Sequence, residues 1–347
     1  MLLLASLVAG CASSAGTPAA QGGPCTAPVL GAQFHGLWSD YDDATREQVL
    51  EELAASGVRS VRLDVSWAAL EPAQGSFDRT ETARLDDVLD QIDAAGLEPV
   101  VMVWLTPAWA NDGRGQRALP DDPASITGFA RWAADRWRQV TAWQVWNEPN
   151  SEDFLVGADP VAYTALLQAA YPAFHEGNSA VRVVFGGTQY QDADWIEAAY
   201  RAGVRGSFDV MATHGYQAVG DEPPTSPDDG TPYRLTAVGR VHEVMAANGD
   251  GAVPIWFTEF GWSSFATRPG AEPLDRGVTR DQQAQYLIST LQELERRFPY
   301  VERAYWYNER DRATGDPRLD NYGLLERDGN PKPVATAAAT WSGDCRA

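Results

Sequence analysis

The sequence predicts an α/β protein that folds as a single-domain (β/α)8 (TIM) barrel. Two observations favour this fold: strand-like and helix-like segments alternate along the chain, and the links between them differ in length according to their direction. The 347 residues, 44% of them hydrophobic, suffice for one large core. A doubly wound open sheet is the alternative, but no glycine-rich dinucleotide motif follows the first strand.

Eight short apolar runs rich in β-branched and aromatic residues are expected to form the strands. They cover residues 29–36, 58–67, 97–105, 141–146, 181–188, 208–216, 253–260 and 301–308. Segments with helical periodicity separate or follow them, at residues 46–57, 83–96, 126–137, 161–174, 193–203, 234–249, 280–298 and 333–341.

The links orient the barrel. Links from helix to strand are short, as at Ser56-Gly57 and Ala95-Gly96, whereas four links from strand to helix are long and irregular. Long irregular loops are usually functional, and in this fold the loops after the strands surround the active site. The long links cover residues 106–124, 217–233, 263–279 and 309–331.

A glutamate ends the fourth predicted strand. In TAWQVWNEPN, residues 141–150, the strand-like run reaches Trp146 and is followed by Asn147 and Glu148. Pro149 lacks an N–H group, so the strand should end there. Strand alternation would place Gln144, Trp146 and Glu148 on one face.

The seventh predicted strand has the same design. VPIWFTEFGW, residues 253–262, delivers Glu259 on the same face as Ile255 and Phe257. Placing a carboxylate at the end of an apolar strand costs desolvation free energy unless the group has a use. The sequence therefore predicts two carboxylates, Glu148 and Glu259, that point at one site. A single glutamate of this kind is more often solvated or ion-paired.

Other polar and aromatic residues are expected at the same face. Arg62 lies within the apolar second strand, and Glu259 is a fitting partner because a buried arginine needs a carboxylate. Aromatic faces stack on the C–H faces of sugars, so tryptophans at strand ends suit a carbohydrate cleft, although packing is an equal alternative for each. The remaining candidates are His35, Trp104, His214, Tyr216, Trp262 and Trp306.

Taken in order, these residues resemble the clan A retaining glycoside hydrolases, which include families 5 and 39. The resemblance covers the chain from about residue 28 and rests on NEP after strand four, TEFGW in strand seven, an arginine in strand two, H-x-Y in strand six and a tryptophan in strand eight. Family 5 members often carry a histidine after strand three, where this chain has Trp104 and Leu105, so the sequence fits a family 39-like or an unassigned clan member better than a strict family 5 member.

The resemblance implies a role for each matching residue. Glu148 would be the general acid/base and Glu259 the nucleophile, and Asn147 would bind the sugar 2-hydroxyl. The resemblance further implies that Arg62 and Tyr216 hold Glu259, that His214 lies between the carboxylates and that Trp306 forms a platform for the sugar. The expected substrate is a poly- or oligosaccharide, and the expected reaction is hydrolysis with retention.

Two other classes of function are less well supported. A non-catalytic carbohydrate-binding barrel predicts a missing carboxylate, but both are present. A metal-dependent hydrolase predicts histidine and aspartate at ligand spacing, which the sequence lacks. We therefore expect neither a metal nor another cofactor. The formal net charge of −21 argues against nucleic-acid partners and suits a neutral ligand, and the sequence does not indicate an oligomeric state.

The first 24 residues are expected to lie outside the barrel, which would span residues 25–347. Residues 2–10 are apolar but too short to span a bilayer, and LVAGC resembles a bacterial lipoprotein processing site. That resemblance implies cleavage before Cys11 and lipid on its thiol; an ordinary secretory leader is the alternative. Residues 12–24 are small and unpatterned, as in a flexible tether.

Cys25 and Cys345 remain as an even pair near the two ends of the barrel. In an exported protein such a pair suggests a disulfide, with two free thiols as the alternative. The sequence thus predicts an extracellular or cell-surface protein whose only link to a membrane is a lipid anchor at Cys11.

Overall fold

The computed structural model describes residues 27–344. Its eight strands are parallel and adjacent in the order β5-β4-β3-β2-β1-β8-β7-β6. Isolated parallel bridges between Val184 and Val210 and between Thr188 and Thr213 join the two ends of this sheet and close the barrel. The strands are β1 Val29–Gln33, β2 Ser60–Ser66, β3 Glu98–Trp104, β4 Ala142–Val145, β5 Arg182–Val184, β6 Met211–His214, β7 Ile255–Phe260 and β8 Val301–Trp306.

Each predicted helix is present, and the single-domain (β/α)8 barrel is confirmed. The main helices are α1 Asp43–Ala55, α3 Arg79–Ala94, α4 Thr127–Arg136, α5 Pro160–Gly177, α6 Ala193–Arg201, α7 Val238–Ala247, α8 Arg280–Arg297 and α10 Pro333–Asp344. Two helices of four residues each, α2 Trp67–Leu70 and α9 Pro317–Asp320, were not predicted and lie in the loops after β2 and β8.

Acidic residues begin several of these helices. Asp42, Asp78, Asp159 and Asp192 cap α1, α3, α5 and α6 by accepting backbone N–H groups. Thr279 and Gln282 form a capping box at the start of α8. Part of the acidic composition therefore sets where helices begin.

The core has two layers, separated by the strands. The larger layer fills the space between the sheet and the helices. The smaller layer fills the inside of the barrel, where alternate strand residues point inward. The inner cluster consists of Val100, Ala142, Val184, Val210, Ala212, Trp256 and Tyr305. Because these residues fill the barrel below the site, a ligand can reach only the ends of the strands.

Two sequence predictions, the lipid anchor and the disulfide, rest on residues outside the described range. Cys11, Cys25 and Cys345 all lie there, so the lipid anchor and the disulfide remain predictions. Among residues 27–344, no helix is long and apolar enough to cross a membrane.

Candidate active site

The two predicted carboxylates converge at the carboxyl ends of the strands. Glu148 follows β4 and Glu259 lies near the end of β7. One side-chain oxygen from each, together with one ring nitrogen of His214, lies within 4.8 Å of the others. The side chains of Glu148 and Glu259 are only 8% and 12% exposed, so the pair lies largely out of water.

His214, the last residue of β6, lies between the carboxylates. Its Nδ1 is 2.7 Å from Glu148 Oε1 and 3.8 Å from Glu259 Oε2. The strand register shifts between Thr213 and His214, which brings His214 opposite Glu259. This position depends on Gly187, because a Cβ there would lie 2.5 Å from His214 Nε2. Glycine is thus required for the end of β5 to approach His214 so closely.

The backbone after β4 departs from the predicted alternation. Trp146 and Glu148 have φ angles of 76° and 42°, which are rare for residues with side chains. The prediction that Gln144, Trp146 and Glu148 share one face is therefore wrong for Trp146. Its buried indole donates to the Phe154 carbonyl, 3.3 Å away, and packs in the outer layer. The turn instead brings Asn147 into the site beside Glu148.

Arg62 organises the floor of the site. Its buried guanidinium donates from Nη1 to Glu259 Oε1 at 2.8 Å and from Nη2 to Asn147 Oδ1 at 2.8 Å. It also donates from Nε to Gln144 and from Nη1 to Gln33. A planar group with this many bonds fixes its partners in position. Since Asn147 accepts through its oxygen, its amide N–H groups are the part that a ligand could use.

The environments of the two carboxylates push their pKa values apart. Burial raises the pKa of Glu148 and outweighs the opposing hydrogen bond from His214. Burial would also raise the pKa of Glu259, but the neighbouring His214 and Arg62 and the hydrogen bond from Tyr216 lower it below its ordinary value. Tyr216 donates its hydroxyl to Glu259 Oε2 at 2.9 Å. Two carboxyls whose pKa values are shifted in opposite directions suit one acid and one nucleophile.

A cavity of about 250 Å³ opens beside this pair. Glu148, Tyr216 and Trp262 are the residues predicted from the sequence that line it. Trp262 is buried and donates its indole N–H to the Glu222 carbonyl. The lining residues that sequence reasoning missed are Phe154, Gln189, Tyr190, Gln217, Gly220, Gly261, Leu274, Tyr307, Arg318, Leu319 and Tyr322.

The assignment of Trp306 as a sugar platform needs correction. Its side chain is fully buried in the outer layer, and its indole N–H donates to the Tyr322 carbonyl at 2.8 Å. Along β8, Tyr305 points into the barrel and Trp306 points outward, so the next aromatic residue, Tyr307, reaches the cavity. Because Tyr305, Trp306 and Tyr307 are all aromatic, the sequence alone does not reveal which of them points into the barrel. The inward direction of Tyr305 in the structure shows that Trp306 points outward.

Trp104 and His35 lie at the periphery of the site. Trp104 ends β3 and lies near Phe154, with ring centroids 6.1 Å apart. His35 Nδ1 is 2.9 Å from the buried carboxylate of Glu309. Burial lowers the pKa of His35, but Glu309 more than offsets this and raises it. The His35 ring packs against the ring of Tyr307, so His35 supports a residue of the cavity wall.

The trio of Glu148, His214 and Glu259 could in principle hold a metal ion, because one atom of each lies within 4.8 Å of the others. These atoms already have partners, however. Tyr216 and Arg62 donate to the two oxygens of Glu259, and His214 pairs with Glu148. A cation would lie next to the guanidinium of Arg62, so the arrangement is better suited to acid–base chemistry.

Known proteins share this barrel. A family 39 glycoside hydrolase from Bacteroides cellulosilyticus WH2 superposes with a TM-score of 0.71 at 23% identity over 91% of this chain and 63% of that one. A monomeric beta-xylosidase from Caulobacter crescentus CB15 superposes with a TM-score of 0.67 at 20% identity, over 92% of this chain and 69% of that one. GH5_18 from Streptomyces cattleya, in complex with GlcNAc, superposes with a TM-score of 0.69 at 20% identity, over 92% of this chain and 80% of that one.

These likenesses establish the fold that the chain shares with clan A glycoside hydrolases. The chain spans less than two-thirds of the length of the Bacteroides protein. No curated protein matches the sequence significantly.

The family follows from a sequence-family match. The cellulase family (glycosyl hydrolase family 5) matches residues 16–310, which is most of the chain. The chain belongs to that family, whose members hydrolyse glycosidic bonds. The missing histidine after β3, which favoured family 39, therefore does not exclude the chain from family 5.

Proposed function

We propose that the protein is a retaining β-glycosidase in which Glu148 is the general acid/base and Glu259 the nucleophile. The observation that carries the proposal is the separation of the two carboxylates, which have oxygens within 4.8 Å of each other. Retaining enzymes hold this pair about 5–5.5 Å apart, whereas inverting enzymes leave about 6.5–9.5 Å for a water molecule. A non-catalytic binding barrel would have no need for two buried carboxyls with opposed pKa shifts.

The geometry supports a double displacement. Glu259 attacks the anomeric carbon while Glu148 protonates the leaving oxygen, and the bond to the leaving group breaks. Glu148, now ionised, then takes a proton from water as the water releases the sugar from Glu259. His214 supports both steps, because it lies within hydrogen-bonding reach of Glu148 and close to Glu259.

The glycone would lie above Arg62 and between Asn147 and Tyr307. Asn147 would donate to the sugar 2-hydroxyl, a contact that strengthens in the transition state. Tyr307 lines the cavity and replaces Trp306 as the aromatic wall. A poly- or oligosaccharide, the substrate class that the sequence suggests, carries the sugar that these contacts with Asn147 and Tyr307 require.

The test is hydrolysis of 4-nitrophenyl β-glycosides of glucose, xylose, mannose and galactose. The wild-type protein is expected to release nitrophenol from at least one of them, and Glu148→Gln is expected to lose turnover of the corresponding unactivated methyl glycoside. If the folded protein cleaves no glycoside in this panel or in a panel of β-linked polysaccharides, the proposal fails.

The activity is expected to have a bell-shaped dependence on pH. Glu259 must be ionised and its pKa is lowered. The acidic limb, where Glu259 gains a proton and kcat/KM falls, should therefore lie below the ordinary range of a glutamate. Glu148 must be protonated and its pKa is raised, so the basic limb begins above the ordinary range of a glutamate. A pH profile of kcat/KM measures both limbs, and activity that kept rising well above neutral pH would contradict the role of Glu148.

We also propose export and attachment to the cell surface through a lipid on Cys11, with a disulfide between Cys25 and Cys345. The apolar run before Cys11 and the even pair of cysteines support this. Mass spectrometry of the protein purified from its native membranes, with and without reductant, tests both modifications.

A further inference from the structure

The cavity wall carries polar groups that the protein itself does not use. Within residues 27–344, the side-chain hydroxyls of Tyr190, Tyr307 and Tyr322 have no hydrogen-bond partner, although all three residues line the cavity. Arg318 lines it too, and its buried Nε–H group also lacks a hydrogen bond. Because a buried N–H group without an acceptor is costly, a ligand that brings an acceptor to this wall would be stabilised.

The charge of Arg318 is only weakly compensated. Arg318 is the one positively charged side chain among the described residues that line the cavity. Asp275 Oδ1 lies 3.3 Å from Arg318 Nε, but the pair lacks the alignment of a hydrogen bond. The Asp275 side chain is 59% exposed, so water screens this pair, whereas the Arg318 side chain is 29% exposed. The guanidinium can therefore still form charge-assisted hydrogen bonds with a ligand.

Arg318 lies at the wall that adjoins the nucleophile. The ring of Tyr322 packs against those of Tyr307 and Tyr216, with centroids 5.6 and 6.4 Å apart, and Tyr216 donates to Glu259. Burial raises the pKa of Tyr322 to about 12, and the nearby positive charge of Arg318 opposes this rise. The guanidinium is thus close to a wall that a sugar bonded to Glu259 would contact.

The topology of the barrel decides which part of that sugar faces Arg318. In the closed ring of strands, β4 and β8 are four positions apart in either direction, so they face each other across the site. Asn147 follows β4, and under the proposed function it binds the 2-hydroxyl. Atoms C2 and C5 are opposite corners of a pyranose ring, so C5 and its substituent point towards the loop after β8. That loop supplies Tyr307, Arg318 and Tyr322.

We propose that the preferred glycone is a hexuronic acid, whose C5 carboxylate binds Arg318 together with the hydroxyls of Tyr307 and Tyr322. The inference rests on the proposed function and names its substrate class as β-uronosides. A carboxylate has two acceptor oxygens in one plane, which match the parallel N–H groups of a guanidinium. A neutral hydroxymethyl group has one oxygen and no charge. The carboxylate takes no part in bond cleavage and serves only to hold the sugar.

The acidic composition of the protein does not oppose this recognition at short range. The formal net charge of −21 is spread over the whole chain, and it led us to expect a neutral ligand. At physiological ionic strength, charges in water are screened beyond about 8 Å. Inside the cavity the nearest cation, Arg318, therefore has the larger effect on a bound carboxylate.

The test compares 4-nitrophenyl β-D-glucuronide with the β-D-glucoside, and the β-D-galacturonide with the β-D-galactoside. Each pair has one leaving group and one ring configuration, so only the C5 substituent differs. In at least one pair, kcat/KM for the uronide should exceed that for the neutral glycoside by about 10-fold or more, as expected for hydrogen bonds to a charged group. The methyl ester of that uronide has no charge and should lose this advantage.

Substitution of Arg318 locates the effect. Arg318→Gln should lower the uronide-to-neutral ratio by about 10-fold, while kcat/KM for the neutral glycoside changes little. Arg131→Gln is the matched control, because it also removes one positive charge but Arg131 lies on α4, away from the cavity, and is 53% exposed. Circular dichroism checks that both variants are folded.

Three results would overturn the inference: uronides cleaved no faster than their neutral partners, a methyl ester cleaved as fast as the acid, or a uronide-to-neutral ratio that Arg318→Gln leaves unchanged. Each of these results still requires glycoside cleavage, so each leaves the proposed function standing. If neither neutral glycosides nor uronides are cleaved, the proposed function itself fails.

Discussion

Replacing Glu259 with Gln is expected to lower kcat by about 10⁴-fold or more, since loss of a nucleophile removes the covalent route. Glutamine keeps the shape of the side chain, and its one oxygen can still accept from Arg62, so the barrel should stay folded. Steady-state kinetics on the best 4-nitrophenyl glycoside measures the loss, and circular dichroism with a thermal melt checks the fold.

The Glu259 experiment has a matched control and a chemical signature. Glu302→Gln changes a glutamate on β8 that bonds to Arg182 and Trp256, away from the cavity, and should retain activity. In Glu259→Ala, azide can enter the vacated space and attack the anomeric carbon directly, which gives the α-glycosyl azide. Retention of wild-type activity in Glu259→Gln would refute its assignment as nucleophile.

The effect of Glu148→Ala is expected to depend on the leaving group. Loss of a general acid costs about 10²–10⁴-fold, so kcat/KM for an alkyl glycoside should fall by that amount. A 2,4-dinitrophenyl glycoside needs no proton to leave, and its kcat/KM should fall far less. Stopped-flow and steady-state assays of both substrates provide the comparison.

Azide also distinguishes the role of Glu148. In Glu148→Ala the glycosyl-enzyme intermediate still forms on Glu259, and azide attacks it from the face that the leaving group vacated, which gives the β-glycosyl azide. An equal loss of activity for good and poor leaving groups, or formation of the α-azide, would contradict the assignment of Glu148 as acid/base.

Much of the site could be predicted because the barrel fixes where strand ends lie. Arg62, His214 and Glu259 are far apart in sequence, yet each lies in a strand whose apolar run is easily recognised. A closed parallel barrel brings the carboxyl ends of those strands to one ring, so polar residues there must meet. Tyr216 follows His214 by two residues and reaches the same site.

The errors arise where strand periodicity stops. Trp146 adopts a positive φ, which no alternation pattern reveals, and the phase of β8 depends on the packing of Tyr305 inside the barrel. Gln189, Leu274 and Leu319 lie in loops, whose conformations follow from contacts with other loops. For such loop residues the sequence offers one signal, which is a polar residue soon after a strand, such as Gln189 after β5.

The central claim is that Glu148 and Glu259 act on one anomeric carbon by double displacement. Proton NMR of the anomeric signal during rapid hydrolysis of a β-glycoside tests it most directly. The account predicts that the β-anomer of the released sugar appears first and then mutarotates. Initial formation of the α-anomer would mean a single inverting displacement and would contradict it.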